Sequence, residues 1–213
     1  MNKTNEINKI NKTDKIDKTL EYYNANAENF VSGTVGVEFT DIQDKFLDCL
    51  PRTAKVLDFG CGSGRDTKYF VDRGLEVDAI DGSEKLCEIA SQYAGIKVKH
   101  MLFQEFSEHE KYDGIWACAS ILHLPKDQIE KVFGLIYEAL KIGGIFYASF
   151  KYGEFSGERN GRIFTDFTEE TMAKLLEKFP QFSVREQWLT QDVRPEKGDT
   201  KWLNIILQKN QPV

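Results

Sequence analysis

The sequence predicts an α/β protein whose parallel β-sheet ends in an antiparallel pair of strands. Short apolar runs alternate with amphipathic helical patterns, which favours parallel strands joined by helices. Three glycines follow the first apolar run, Lys55–Phe59, so a strand, a tight turn and a helix succeed one another there. Near the C-terminal end, two β-patterns are separated by residues 192–200. This link is too short for a helical crossover, so the two strands must pair antiparallel.

Length and composition indicate one folded domain. The chain has 213 residues, of which 41% are hydrophobic, and this is enough for one full core. Its formal net charge of −6 does not favour a nucleic-acid polyanion as partner. The four cysteines are scattered without metal-ligand spacing, so we expect reduced thiols, no metal site and a cytoplasmic location. We also expect neither a signal peptide nor a membrane-spanning helix.

The N-terminal part is predicted to be a polar tail followed by a helical cap. Residues 1–18 are rich in Asn, Lys and Thr, a composition typical of a flexible tail. Residues 19–213 are predicted to form a single domain. Within it, residues 19–50 carry two helical patterns, the second of which ends at Pro51.

After the first strand, helices and strands are predicted in alternation. Further strands are expected at Leu75–Ile80, Ile96–Met101, Tyr112–Cys118, Ile145–Phe150, Phe182–Leu189 and Lys201–Gln208. Helices are expected at Arg65–Arg73, Glu84–Tyr93, Gln128–Lys141 and Thr168–Phe179. The polar segment Gly153–Asp166 is predicted to be a surface insertion with a shaped loop.

The glycine turn limits the kinds of ligand that it can bind. A dinucleotide fingerprint needs a glycine where this chain has Arg65, and no Gly-Lys-Ser/Thr follows for a phosphate loop. Asp58, two residues before the first glycine, suits a cationic ligand better than a pyrophosphate. The alternative is a structural turn that binds nothing.

The run from Asp58 to Gly64, Asp-x-Gly-x-Gly-x-Gly, resembles motif I of the class I S-adenosylmethionine-dependent methyltransferases. The Leu-Lys-Ile-Gly-Gly run at 140–144 resembles a turn of the same superfamily. The resemblance covers about residues 20–209 and implies a Rossmann-like seven-stranded sheet of order 3-2-1-4-5-7-6. One strand would be antiparallel, helices would cover both faces, and the N-terminal helices would form a cap. It also implies S-adenosylmethionine as cofactor.

The cofactor site is expected at the ends of the first, second and fourth strands. Asp81, about twenty residues after the first glycine, can accept bonds from both hydroxyls of a ribose. The alternative is that Asp81 or Ser83 only caps the next helix. The resemblance places Phe103 and Gln104 against the adenine. The expected cofactor-binding residues are Asp58, Gly60, Cys61, Gly62, Gly64, Asp81, Gly82, Ser83, Phe103, Gln104, Ala117 and Tyr23.

The resemblance implies that the acceptor is bound by the cap and by the segments after strands four and five. His123 is the candidate base for a hydroxyl or ammonium acceptor, although it could also be a loop histidine bonded to backbone. The arginines after strand five suit an anionic acceptor, unless that loop is only solvated surface. The expected substrate-binding residues are Tyr22, Tyr152, Arg159, Arg162 and Arg194.

The leading interpretation is methyl transfer (EC 2.1.1.-) to a small molecule by a monomer or homodimer. The chain is similar to the tellurite-resistance and ubiquinone-biosynthesis types of methyltransferase. It lacks the Asp/Asn-Pro-Pro-Tyr/Phe run of amino-methylating DNA enzymes and the Pro-Cys nucleophile of cytosine-C5 chemistry. A tRNA-modifying methyltransferase is an alternative that the acidic balance disfavours. A module that binds S-adenosylmethionine without turnover is a third interpretation.

Overall fold

Helices and strands alternate along residues 16–194 and 198–211, which are the residues that the structure, a computed structural model, describes. The strands are β1 (Lys55–Phe59), β2 (Glu76–Asp81), β3 (Lys99–His100), β4 (Tyr112–Ala117), β5 (Leu140–Lys151), β6 (Ser156–Arg159), β7 (Arg162–Thr165), β8 (Phe182–Gln191) and β9 (Lys201–Lys209). The α-helices are α1 (16–25), α2 (Ala27–Ser32), α3 (Thr40–Leu47), α4 (Arg65–Asp72), α5 (Glu84–Ala94), α6 (Lys126–Ala139) and α7 (Glu169–Leu176).

The central sheet has the predicted topology. Its seven strands lie in the order β3-β2-β1-β4-β5-β9-β8. Strands β1 to β5 are parallel to one another, and β9 pairs antiparallel with both β5 and β8. Because β8 and β9 are the sixth and seventh strands of this sheet, the predicted order 3-2-1-4-5-7-6 is confirmed. The direction of strand progression reverses between β1 and β4, which leaves a crevice at their carboxyl ends.

Side chains that alternate along the strands bury both faces of the sheet. Val56 and Trp116 pack with α3 and α4 on one face. Leu57 and Ile115 pack with α6 and α7 on the other face. This alternation follows from the two-residue period of a β-strand. Helices therefore cover both faces, as predicted, and the ends of the strands stay available for a site.

The predicted boundary between α6 and β5 is wrong. We expected the helix to continue to Lys141 and Gly143-Gly144 to form a turn before the strand. The helix instead ends at Ala139, and β5 already begins at Leu140, which pairs with Tyr112. Gly143 has a φ of +80° and lies in an irregularity of the β4–β5 ladder. The glycines thus form a β-bulge within β5 and do not form a turn between α6 and β5.

The segment after β5 is a β-hairpin and not the predicted loop. Strands β6 and β7 pair antiparallel in a two-stranded sheet of their own. At the tip, Asn160 and Gly161 have φ values of +51° and +76°. Two positive φ values are typical of a two-residue hairpin turn, and Asn-Gly is its commonest sequence. The Asn-Gly pair was therefore a hairpin signal in the sequence.

Two other predictions differ from the structure at the edges of the domain. The third strand is only Lys99–His100, because it pairs with β2 alone at the edge of the sheet. The predicted tail, residues 1–18, lies outside the described residues except for 16–18, which are helical. Ile16 packs against the core. Among the described residues, no helix is long and apolar enough to cross a membrane.

Candidate functional site

A cavity of about 470 Å³ opens at the carboxyl ends of the parallel strands. We divide it into two parts that are named by their residues. The glycine half is formed by the turns after β1 and β2 and by the short 3-10 helix Phe103–Glu105. The cationic half is lined by Lys151, Arg159, Arg162 and Arg194. Helix α1 and the hairpin β6–β7 lie over the second part, so the cavity joins two chemically different surfaces.

The backbone of the glycine turn lies directly at the cavity. Gly60 and Gly62 line it, with φ values of +87° and +54°. A Cβ at Gly60 would lie 2.5 Å from the Cβ of Ser120. The third glycine, Gly64, packs on Ala90 of α5 and does not line the cavity. Glycine at positions 60 and 62 therefore lets the turn approach Ser120, Phe103 and Phe30, which also line the cavity.

Asp81 holds the glycine turn by hydrogen bonds to backbone. Its Oδ2 accepts from the amide of Gly62 at 2.9 Å, and its Oδ1 accepts from the amide of Ser83 at 2.8 Å. Burial raises the pKa of Asp81, while these two bonds oppose the rise. Ser83 caps α5 by accepting from the amide of Leu86. The two roles are thus divided: Ser83 is the cap, and Asp81 lines the cavity with oxygens that can each accept a second bond.

Asp58 lies beneath the glycine turn and not on the cavity surface. It is buried and accepts a bond from the hydroxyl of Thr67 at 2.6 Å. Burial, followed by the nearby carboxylate of Asp66, raises the pKa of Asp58 to about 8. The expected direct contact of Asp58 with a cationic ligand is therefore not present in this geometry. The residue instead supports the turn from below.

Asp66 links the glycine turn to helix α3 and strand β4. It accepts hydrogen bonds from Gln43 at 2.6 Å and from the indole of Trp116 at 2.8 Å. Arg65 donates to both of its oxygens, at 2.7 and 3.0 Å. Asp66 also lines the cavity. Buried hydrogen bonds to α3 and β4 therefore fix the first turn of α4, which follows the glycines.

Two of the four cations in the cationic half are paired with carboxylates. Arg159 contacts Asp166 at 2.8 Å, and Arg194 makes a two-pronged contact with Asp192. No ion pair joins Arg162 or Lys151 to a carboxylate within the described ranges. Burial, followed by the charge of Arg159, lowers the pKa of Lys151. Within the described part of the chain, the cationic half therefore carries two positive charges that are not in an ion pair.

Arg162 is held by aromatic rings while one of its donors stays unused. Its guanidinium lies 4.3 Å from the centre of the Tyr22 ring and 5.3 Å from that of Phe164. Its Nη1 lies 3.4 Å from the hydroxyl of Tyr23. Its Nε is buried and has no hydrogen-bond partner. A buried donor without a partner costs free energy, so a ligand that accepts a bond from it gains correspondingly.

His123 is bonded at both ring nitrogens. Its Nδ1 lies 2.7 Å from the carbonyl oxygen of Ile163, and its Nε2 lies 2.8 Å from the hydroxyl of Tyr23. A carbonyl can only accept, so Nδ1 carries the proton and Nε2 accepts from Tyr23. Burial lowers the pKa of His123 to about 4, and Arg162 and Lys151 contribute to this decrease. Both alternatives drawn from the sequence are thus present, since His123 bonds to backbone and also lines the cavity.

The structure brings most of the predicted site residues together. The following ones line the cavity: Gly60, Cys61, Gly62, Asp81, Gly82, Phe103, Gln104, Tyr23, His123, Arg159, Arg162 and Arg194. The following ones do not: Asp58, Gly64, Ser83, Ala117, Tyr22 and Tyr152. Ala117 is fully buried in the sheet, and Tyr152 is exposed beside Phe167. Tyr22 lies behind the cavity wall, where its ring contacts the lining residues Arg162 and Tyr23.

Sequence reasoning missed several lining residues. Lys151 lies at the carboxyl end of β5, a position where α/β sheets commonly place ligand contacts, and this signal was available. Phe30 and Asp192 come from segments that only the tertiary fold brings to the cavity. Over the described ranges, no cluster of three His, Cys, Asp or Glu side chains could hold a metal ion.

Comparison with known proteins gives one family match. Residues 56–144 match the family model described as methyltransferase domain. The sterol 24-C-methyltransferase of Candida albicans is 32% identical over 108 residues, covering 46% of this chain and 28% of that protein. The chain spans less than half the length of the curated relatives that it matches.

Solved structures share the fold. The 1,6-didemethyltoxoflavin-N1-methyltransferase of Burkholderia thailandensis, with its substrate and S-adenosylhomocysteine bound, has a TM-score of 0.69 and 21% identity. The alignment covers 99% of this chain and 92% of that one. The [4+2]-cyclase SpnF has a TM-score of 0.64 and 16% identity, with 81% of each chain covered. At these identities the likeness shows the fold alone.

Proposed function

We propose that this chain, which carries a class I S-adenosylmethionine-dependent methyltransferase domain by its family match and its strand order, methylates an anionic small molecule. The observation that carries the proposal is the single cavity that joins the glycine half to the cationic half. Methyl transfer needs donor and acceptor side by side, because the reaction is an in-line displacement that depends on alignment.

The residues of the glycine half fit the cofactor of this class. Asp81 would accept the ribose hydroxyls, and Phe103 and Gln104 would lie against the adenine. Glycine at these two positions lets the turn pack against Ser120, Phe103 and Phe30, so its backbone lies at the cavity surface where the cofactor would bind. The sulfonium supplies a methyl group that is already activated. The protein then contributes alignment, exclusion of water and control of the acceptor's proton.

The cationic half supports an anion as acceptor. Arg162 and Lys151 keep their charges unpaired within the described ranges, although both lie at a partly buried cavity. Two half-buried cations without an ion-pair partner gain from a ligand that supplies negative charge. Arg162 also offers its unused Nε. A carboxylate would therefore gain both charge and hydrogen bonds on binding there.

The size of the cavity supports a small acceptor. A volume of about 470 Å³ is in the range of sites for small molecules, roughly 300–1,000 Å³. The acidic balance of the chain does not favour a nucleic acid as acceptor. A carboxylate-bearing metabolite with a hydroxyl, amine or thiol within reach of the methyl group is the substrate class that we propose.

A turnover assay tests the proposed function. The purified chain is incubated with S-adenosylmethionine and a panel of hydroxy-, amino- and mercapto-carboxylates, and S-adenosylhomocysteine is measured by mass spectrometry. Calorimetry with S-adenosylmethionine runs in parallel. We expect binding without an acceptor and turnover with at least one member of the panel. Binding of S-adenosylmethionine without turnover would favour a module that does no methyl transfer. The cyclase SpnF illustrates that this fold is not confined to proteins named as methyltransferases.

Arg162 variants test the anionic acceptor. We expect Arg162→Ala to raise the acceptor KM by about tenfold or more, the effect of losing a charged hydrogen bond, with S-adenosylmethionine affinity unchanged. Arg162→Lys should show a smaller defect, since the charge stays and the fork is lost. Arg52→Ala removes an exposed arginine and is the control. Parental KM in both Arg162 variants would contradict the anion site.

A further inference from the structure

We propose that Tyr23 and His123 form a proton-accepting pair in which Tyr23 takes the acceptor's proton and passes its own hydroxyl proton to Nε2 of His123. The inference deepens the proposed function and rests on it. It concerns acceptors whose reacting atom is a protonated oxygen or nitrogen. A thiolate acceptor needs no such pair, because it has already lost its proton.

The direction of the bonds defines the order of the pair. Ile163 O accepts the proton on Nδ1 of His123, so the remaining lone pair of the imidazole, on Nε2, is directed at the hydroxyl of Tyr23. His123 is therefore occupied at both nitrogens and has no atom left for the acceptor. The Tyr23 oxygen still has a lone pair, and Tyr23 lines the cavity. The acceptor must deliver its proton through Tyr23.

Tyr23 stands where the two halves of the cavity meet. On one side the centre of its ring lies 5.2 Å from the centre of the Phe30 ring, and Phe30 lies over Gly62 of the glycine half. On the other side its hydroxyl lies 3.4 Å from Nη1 of Arg162 in the cationic half. A methyl group that passes from a donor in the first half to an acceptor in the second must cross this boundary. Tyr23 is thus close to the reacting atoms.

The proposed step balances in atoms and charge. The bond from the acceptor oxygen or nitrogen to its hydrogen breaks, and the proton goes to the Tyr23 oxygen. The Tyr23 proton goes to Nε2 of His123, which becomes an imidazolium that donates to both Tyr23 and Ile163. A new bond joins the methyl carbon to the acceptor atom, and the electron pair of the broken sulfur–carbon bond stays on sulfur.

The charges around the pair couple proton uptake to the acceptor. Arg162 and Lys151 lower the pKa of His123, after burial, which is the largest cause. Burial raises the pKa of Tyr23, Arg162 lowers it, and Asp81 and Tyr22 raise it. An acceptor carboxylate beside Arg162 and Lys151 would offset their charges, so the imidazolium becomes easier to form. The pair therefore becomes more basic when an anionic acceptor is bound.

Nitrogen NMR of the histidines tests the pair without any acceptor. The chain contains only three histidines, and His123→Gln assigns the relevant signals. We expect His123 in the Nδ1–H tautomer, with an Nε2 resonance that moves in Tyr23→Phe and stays in place in the control Tyr93→Phe, which alters an exposed tyrosine on α5. Finding His123 in the Nε2–H tautomer would overturn the proposal. An Nε2 resonance that does not move in Tyr23→Phe would overturn it as well.

Kinetics test the catalytic role with an active hydroxy- or amino-carboxylate from the panel. General-base catalysis contributes roughly 100-fold or more, so Tyr23→Phe and His123→Gln should each lower kcat by about that factor. Gln at position 123 can accept from Tyr23 and donate to Ile163, so a purely positioning role would be rescued. Because the pair acts as a unit, the double variant should be no slower than either single one. Calorimetry should show S-adenosylmethionine affinity unchanged, and His109→Gln is the control at an exposed histidine.

The outcomes separate the pair from the proposed function. Failure of the parental chain to bind S-adenosylmethionine or to turn over any acceptor would overturn both. Turnover with parental kcat in Tyr23→Phe or His123→Gln would overturn the pair and leave methyl transfer intact. The pair would also be overturned if the decreases in kcat of the two single variants multiply in the double variant. It would likewise be overturned if only mercapto-carboxylates react.

Discussion

The glycine half and the cationic half of the cavity are built in opposite ways. The glycine half comes from turns directly after neighbouring parallel strands, and its shape depends on backbone held by Asp81. The cationic half is made of side chains from the end of β5, the hairpin and the link between β8 and β9. A ligand common to a class of enzymes can be met by backbone that the sheet itself positions. A ligand particular to one enzyme is met by side chains on segments added to the sheet.

The largest expected effect comes from filling the glycine half. Gly60→Ala places a Cβ 2.5 Å from that of Ser120 and 2.9 Å from the Phe103 ring, so we expect loss of measurable S-adenosylmethionine binding. Gly74→Ala is the matched control, because Gly74 has a similar φ of +81° and nothing within 4 Å of the added Cβ. Calorimetry and thermal melts of both variants separate the clash from backbone strain. Equal binding in the two variants would contradict the assignment.

A smaller effect is expected at Asp81. Asp81→Ala removes the acceptor for ribose hydroxyls, which should weaken S-adenosylmethionine binding by roughly 1–3 kcal/mol. The acceptor KM at saturating cofactor should not change, because the cationic half is untouched. Asp81 also holds Gly62 and Ser83, so the melting temperature must be measured on the same sample. A large loss of stability with full affinity would make Asp81 a structural residue only.

A change at the hairpin tip should affect the cationic half alone. Gly161→Ala strains a residue with a φ of +76° and should cost about 1–2 kcal/mol locally. We expect a raised acceptor KM, because Arg162 follows directly, and unchanged S-adenosylmethionine affinity. Gly95→Ala, at a φ of +72° after α5, carries the same strain away from the cavity. A raised KM in both variants would show a general loss of stability.

A pH dependence of stability is also expected from Asp58. Its pKa is raised in the folded state to about 8, so the folded chain holds a proton that the unfolded chain has released above its ordinary pKa. Stability from this group is therefore complete at low pH and is lost as the pH rises through about 8. Asp58→Asn should flatten this loss between pH 5 and about 9 in thermal melts. The exposed Asp72→Asn is the control, and identical slopes for Asp58→Asn and the parent would disprove the account.

The sequence predicted the glycine half well because its residues are close in the chain and follow a strand-turn-helix order. The predicted fold class and sheet order are confirmed, and residues 56–144 match a methyltransferase family model. The domain boundaries and the roles of individual site residues remain predictions. Tyr152 was placed on the wrong side because neighbouring residues at the end of β5 point to opposite faces, and Lys151 takes the inward direction. The same alternation separates Ala117 from Cys118, which does line the cavity.

The cationic half could not be predicted to the same depth. The bond between Tyr23 and His123 joins residues that are 100 positions apart. Two of the predicted cations are already paired with carboxylates, Arg194 with Asp192 and Arg159 with Asp166. They are therefore less able to bind an anionic ligand. Which arginine stays unpaired depends on how the hairpin folds back over α1, and no local pattern encodes this.

The separate sheet of the hairpin has a consequence for how such an enzyme can diverge. Strands β6 and β7 pair with each other in a ladder of their own, and the buried side chains of Ile163 and Phe164 anchor them to the rest of the domain. The charges facing the cavity can therefore change by mutation within residues 156–165 while the seven-stranded sheet keeps its ladder. Evolution, or a designer who changes the partly exposed charges of this hairpin and keeps Ile163 and Phe164, can alter the cationic half without rebuilding the glycine half.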